Sequence, residues 1–160
     1  MNGIEIRSVN TTDKDWIKSL VKSRQGSERV VSRGKVYNPS ELLGFVAVID
    51  GKNVGLITFS IVNNECEIVT LDSLEEGKGV GTSLIEKVMK LAKEKSCYRI
   101  WLITTNDNSK ALRFYQKRGF ILKALYSNAL SESRKLKPEI PQMGNDGIPL
   151  RDEIELEFRY

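Results

Sequence analysis

A chain of 160 residues without a single histidine has a restricted chemistry. A histidine general base, a Ser-His-Asp triad, a Cys-His pair and a histidine-bearing zinc site are all excluded. Acid–base work falls to carboxylates, tyrosine, lysine, cysteine or water. The strongest spacing signal is Asp72-Ser73-Leu74-Glu75-Glu76-Gly77-Lys78-Gly79-Val80-Gly81-Thr82, with three glycines at alternate positions opening a helix. Glycine lets the backbone approach a ligand and adopt strained dihedrals. Free N–H groups at a helix start, with the positive end of the helix dipole, attract anions, and a diphosphate is the natural occupant. A tight strand-to-helix turn with no ligand is the bland explanation. Two other phosphate loops fail on spacing. The nucleotide-hydrolase loop needs G-x-x-x-x-G-K-[ST], but Gly77-Lys78 runs into Gly79 and Asp72 stands where its first glycine belongs. The dinucleotide loop needs G-x-G-x-x-G, and Thr82 occupies its last position.

The elements that must position this loop are legible in the periodicity. Ile4–Val9 alternates and predicts a strand. Thr11-Thr12-Asp13 offers N-cap oxygens to a helix carrying Trp16, Ile17, Leu20 and Val21 on one face. Strands follow at 44–49, 54–62 and 65–71, joined by Asp50-Gly51 and Asn63-Asn64 turns into an antiparallel meander. Val80, Leu84, Ile85, Val88, Leu91 and Ala92 predict a helix over about 80–95. A strand at 98–104 then runs parallel to the one before the helix. A helix over 108–118 ends at Gly119, followed by strands at 120–125 and 154–160. Residues 24–43 read as loop plus a short helix, either a solvated connector or a wall of the substrate site. Residues 127–150, with Pro138, Pro141 and Pro149, read as a long loop of the kind that is often functional.

Composition sets the frame. With 40% hydrophobic and 29% charged residues the chain resembles ordinary soluble proteins, and its length favours one domain over 1–160. The net charge of +4 is a weak hint of anionic partners. The basic residues are scattered, so nucleic acid is not expected as a partner, and no stretch approaches the ~18 apolar residues of a membrane span, so no membrane is expected either. Cys66 and Cys97 cannot build a disulfide framework and are expected as buried free thiols. Charge interrupts every short apolar stretch of the N-terminus, and a cytoplasmic protein is expected.

Together these segments resemble the GNAT superfamily of acetyl-CoA-dependent N-acetyltransferases. Glu76-Gly77-Lys78-Gly79-Val80-Gly81 follows that family's [QR]-x-x-G-x-[GA] loop at both glycines and departs from it at Glu76. Asn108-Ser109-Lys110-Ala111-Leu112-Arg113-Phe114-Tyr115-Gln116-Lys117-Arg118-Gly119-Phe120 is similar to its N-x-x-A-x-x-F-Y-x-x-x-G-F at every fixed position. The resemblance implies an α/β (α+β) fold: one GNAT-like domain with a mixed, mostly antiparallel sheet of about seven strands, one parallel pair, and flanking helices.

It also implies roles. Acetyl-CoA is the cosubstrate, no metal is needed, and a small-molecule or peptide amine attacks the thioester directly. The longer-acyl version of this chemistry stays open, because the loop reads only the coenzyme. Tyr115 protonates the leaving thiolate. Backbone groups from Gly77 to Thr82, through Lys78, Gly79, Val80 and Gly81, hold the diphosphate, and Leu71 supplies a main-chain N–H to the carbonyl oxygen. Asn108, with Ala111 and Tyr115 on its helix face, binds the coenzyme or caps the helix. Lys117 and Arg118 reach a phosphate or simply offset a helix dipole. The residues themselves, without histidine, leave as proton acceptor for the amine Glu65 or Glu67, two apart on one strand and so facing the same way, or water. A non-catalytic acyl-CoA-binding or regulatory module on the same fold is the competing reading, and a homodimer is common among the proteins resembled.

Overall fold

In the computed structural model, which describes residues 3–160, the alternating segments become strands β1 (Glu5–Ser8), β4 (Leu43–Ile49), β5 (Lys52–Val62), β6 (Glu65–Ser73), β7 (Arg99–Thr105), β8 (Ile121–Tyr126) and β9 (Glu153–Arg159). They form one seven-stranded sheet in the order β1-β4-β5-β6-β7-β9-β8. Only β6 and β7 pair in parallel, as expected for strands joined by a helix. The meander turns are tight because consecutive residues adopt left-handed dihedrals, with φ of 51° and 75° at Asp50-Gly51 and 53° and 61° at Asn63-Asn64. Turns of this hand match the twist of the strands they join.

Each face of the sheet is covered by the helix whose stripe fits it. α2 (Val80–Glu94) buries Val80, Leu84, Ile85, Val88 and Ala92 against Phe45, Ile57, Phe59, Cys66 and Ile68. α1 (Lys14–Gln25) buries Ile17, Leu20 and Val21 against Val46 and Leu56 on the other face. Each Val, Leu, Ile or Phe among them contributes on the order of 1.5–3 kcal/mol by leaving water. The cap ahead of α1 comes from Asn10 rather than from Thr11 or Thr12. Its side chain accepts from Thr12 N at 2.9 Å while Asp13 accepts from Asn10 N, a reciprocal capping box.

Two features of β6 build the site. The register with β5 passes from Thr58↔Thr70 to Phe59↔Ile68, leaving Val69 as an extra bulged residue. The bulge keeps Glu65 and Glu67 on the α1 face while Leu71 turns toward the α2 core. In addition, the β6–β7 ladder stops at Ile68↔Leu102 although both strands continue, β6 to Ser73 and β7 to Thr105. The two strands therefore splay.

Both uncertain segments have more structure than expected. Residues 24–43 hold a separate hairpin, β2 (Val30–Ser32) with β3 (Lys35–Tyr37), and a 3-10 turn at Pro39–Glu41. Its turn is Arg33-Gly34, both left-handed at φ 48° and 76°. Three-residue strands are too short to show period two. Residues 127–150 contain α3's successor α4 (Ala129–Leu136), where α3 is Ser109–Lys117, and a 3-10 turn at Asn145–Gly147. α4 buries only Leu130 and Ser133, so it carries no apolar stripe. Arg134 orders the segment after it by donating to the carbonyls of Pro141 and Leu150.

Candidate active site

A cavity of about 530 Å³ opens where β6 and β7 part. Asn108, Ala111 and Tyr115, spaced i, i+3, i+7, present one face of α3 to it, together with Leu71, Glu76 and Gly81. Asn108 is the N-cap of α3, its Oδ1 accepting from Ala111 N at 3.1 Å. That use leaves its amide N–H groups free to serve a ligand, so the capping and binding expectations are compatible.

Tyr115 is 6% exposed and held between Phe114 and Phe120 by edge-on ring contacts at 5.1 and 5.3 Å. Burial pushes its phenol above the ordinary tyrosine value, Asp72 adds to the rise, and Arg118 opposes it. The group therefore stays protonated across the working range of pH. No hydrogen bond from a described residue takes up its hydroxyl.

The glycine loop has the form of an anion cradle. Gly77 and Gly79 sit at φ of 74° and 77°, and nothing lies within 4 Å of a side chain built on either. Gly79 is the N-cap of α2 and brings no side chain to the first-turn N–H groups. A Cβ on Gly81 would stand 3.3 Å from the Phe114 ring, so glycine there lets α2 and α3 close on each other. Val80 is turned into the core and anchors the helix start. Gly77, Lys78 and Gly79 form the exposed rim. Thr82 accepts from the Arg118 guanidinium, which lies 3.7 Å over the Phe114 ring and also donates to the Phe114 carbonyl. Arg118 is thus committed to packing. Lys117 is exposed and does not line the cavity. Glu76 lies across from Lys110, with 3.7 Å between charges. Open backbone at a helix start, a cleft between strands and an uncommitted amide are the features a diphosphate with an extended thiol arm requires, so these residues fit coenzyme A.

A family profile described as the acetyltransferase (GNAT) family matches residues 12–120, more than half of the chain. The chain belongs to this family. Among its relatives, the uncharacterized Bacillus subtilis protein YxbD is 44% identical over 144 residues, covering 89% of this chain and 91% of YxbD. A streptothricin acetyltransferase from Streptomyces lavendulae is 32% identical over 100 residues, 55% of this chain and 51% of that protein. Two solved structures share the fold. An IAA acetyltransferase from Bacillus cereus superposes with a TM-score of 0.76 at 21% identity, covering 99% of this chain and all of the other. A GNAT acetyltransferase from Elizabethkingia anophelis, with acetyl-CoA bound, gives 0.69 at 19% identity, with 99% of each chain covered.

In this GNAT acetyltransferase the two carboxylates expected from the sequence do not line the Tyr115 cavity. Glu65 accepts from Arg99 Nε at 2.5 Å. Although burial favours its neutral form, hydrogen bonds from Arg99 and Tyr98 hold its carboxyl below the usual range. Glu67 is buried, accepts from Ser32 Oγ at 2.7 Å and from the Tyr37 hydroxyl, and opens on a second cavity of about 280 Å³ with Trp101 and Lys35. Burial raises its carboxyl despite both hydroxyls, which favour the charged form.

Sequence reasoning missed the acidic row beside them. Glu153, Glu155 and Glu157 lie opposite Thr105, Ile103 and Trp101 and are all buried. Arg99 pairs with Glu155 at 2.7 Å and Glu157 at 3.1 Å as well as with Glu65. The alternation of β9 was the available signal, but period two alone does not tell a covered polar face from a solvated one. Glu153 lines the Tyr115 cavity itself. Cys66 and Cys97 are buried free thiols, and burial pushes Cys66 up to about 12, with Cys97 and Glu67 adding to the rise. No group of three His, Cys, Asp or Glu among the described residues could hold a metal, and no helix among them is long and apolar enough to cross a membrane.

Proposed function

We propose that the chain is a cytoplasmic N-acetyltransferase, one catalytic domain over 1–160, that transfers the acetyl group of acetyl-CoA to a primary amine within a ternary complex. The observation that carries this reading is the Tyr115 hydroxyl, protonated and uncommitted, in a cavity it shares with Asn108, Ala111 and the glycine-loop helix. Acetyl-CoA supplies an acetyl group activated as a thioester. The N–H groups from Gly77 to Thr82 hold its diphosphate, and the Asn108 amide and Ala111 border its arm. Leu71, beyond the last β6–β7 pair, offers main-chain polarity to the carbonyl oxygen. Tyr115 donates its proton to the sulfur as the C–S bond breaks.

The test is direct. The protein is incubated with acetyl-CoA and a panel of 1,5-diaminopentane, Nα-acetyllysine amide, glycinamide and aniline, and free thiol and acetylated amine are followed together. Amine-dependent thiol release is expected. Tight coenzyme binding with no release from any amine would instead support a non-catalytic acyl-CoA-binding module.

Glu76 gives a second expectation. An exposed carboxylate at the loop's first position repels a diphosphate. Glu76→Gln should lower the KM for acetyl-CoA by roughly two- to fivefold at low salt and less at high salt. A kcat change larger than the KM change would contradict a purely electrostatic role.

A further inference from the structure

The Tyr115 cavity passes through the sheet. α3 and Tyr115 belong with the α2-face core, whereas β2 reaches Glu67 on the α1 face through Ser32. Yet one cavity is lined by Tyr115 and Asn108 and also by Val30, Val31, Leu130 and Glu153. The gap between β6 and β7 joins the two sides. A coenzyme held by the glycine loop and α3 leaves the α1 side for the acceptor.

On that side the carboxylates differ in how firmly the protein holds them. Glu65, Glu155 and Glu157 are bound to Arg99 at 2.5–3.1 Å. Glu155 also takes the Tyr126 hydroxyl, and Glu67 takes two hydroxyls. Among the described residues, the Glu153 side chain, 3% exposed, has only Arg33 as a partner, whose backbone N and Nη1 both stand 3.4 Å away. The Arg33 guanidinium is 40% exposed and also stacks 3.5 Å over the Tyr126 ring, so its long contacts to Glu153 are not its only hold on the protein. A buried carboxylate with one loosely held cationic partner is a site for another cation.

We propose that Glu153 is the acceptor-binding carboxylate and proton acceptor of this enzyme, and that the acceptor is an alkylammonium, an aliphatic stem ending in a protonated primary amine. This rests on the acetyltransferase reading above. Val30, Val31, Ile103 and Leu130 surround the stem, and the ammonium replaces Arg33 beside Glu153. Glu153 takes one proton from the ammonium and passes it to solvent. The freed nitrogen lone pair forms the C–N bond as the C–S bond breaks and its electron pair stays on sulfur. The proton that Tyr115 gives to sulfur is replaced by the second proton lost from nitrogen, so the products are amide, thiol and one released proton.

The test compares Glu153→Gln and Glu67→Gln on the best alkylammonium acceptor of the panel and on aniline, which is neutral and needs no carboxylate. Glu153→Gln should lower kcat/KM for the alkylammonium by ~10²-fold and for aniline by less than threefold, with the KM for acetyl-CoA unchanged as evidence of an intact fold. Arg33→Met removes the resident cation and should lower the KM for the alkylammonium about threefold. Equal losses on both amines, no loss, or the alkylammonium loss appearing in Glu67→Gln alone would overturn the assignment. So would a wild-type enzyme that accepts only aniline. Failure of the wild-type enzyme to acetylate any amine would overturn the acetyltransferase reading itself and the role of Glu153 with it.

Discussion

Tyr115→Phe is expected to lower kcat by ~10²-fold, the usual scale of a lost general acid, with the KM for acetyl-CoA and the melting temperature nearly unchanged. The two effects separate because of how Tyr115 is held. Its ring packs edge-on between Phe114 and Phe120, and phenylalanine keeps both contacts. Its hydroxyl gives no described residue a hydrogen bond, so its removal strands no buried partner. The pH profile adds a second check. Burial first, then Asp72, hold the phenol above the ordinary tyrosine value against the opposing charge of Arg118. A raised pKa keeps the acid form present through and beyond pH 10, so the wild-type rate should show no alkaline fall from this group in that range. Steady-state kinetics from pH 6 to 10 on both proteins decide it. A variant with full activity at every pH would remove Tyr115 from the chemistry.

Arg99→Met is expected to cost about 3–5 kcal/mol of stability at neutral pH, the scale of breaking a buried ion pair by removing one partner. Arg99 is the shared partner of Glu65, Glu155 and Glu157, and its own side chain is 14% exposed. Methionine fills the volume and leaves Glu155 without a cation. The pH dependence has a definite sign. At Glu65 and Glu157 burial raises the carboxyl pKa, but hydrogen bonds, from Arg99 and Tyr98 at Glu65 and from Arg159 and Arg99 at Glu157, bring the net value below the ordinary one. A lowered folded-state pKa means stabilisation that is present above the unfolded value of about 4.3 and lost as pH falls through the folded value. The gap between wild type and Arg99→Met should therefore be largest near pH 7 and shrink below pH 4. Urea denaturation at both pH values measures it, and a gap independent of pH would mean that Arg99 acts by packing alone.

The clearest sequence signals lay where local geometry and function use the same residues. Helical spacing placed Asn108, Ala111 and Tyr115 on one face, and all three line one cavity. Glycines at 77 and 79 meet a backbone need, positive φ, which few other residues satisfy. Periodicity marked the seven strands of the main sheet, each of which has four or more residues to show it. It failed for β2 and β3, which are three residues long, and for α4, whose only buried residues are Leu130 and Ser133.

The carboxylates show the limit most plainly. Glu65 and Glu67 stood out because, in a chain without histidine, they lie two apart on one strand and face the same way, yet Arg99 holds the first and hydroxyls from the β2–β3 hairpin occupy the second. Glu153, some 40 residues past Tyr115, shares the cavity because β9 inserts between β7 and β8. By itself the sequence determined the seven strands of the main sheet, helices α1 to α3, the GNAT resemblance, the glycine loop and the Tyr115 face, since each follows from periodicity, motif or backbone need within about a dozen residues. Only the tertiary structure decided the bulge at Val69, the splay of β6 from β7, and which carboxylate lines the cavity of Tyr115. Those depend on register between distant strands and on what covers a polar face, and local periodicity encodes neither.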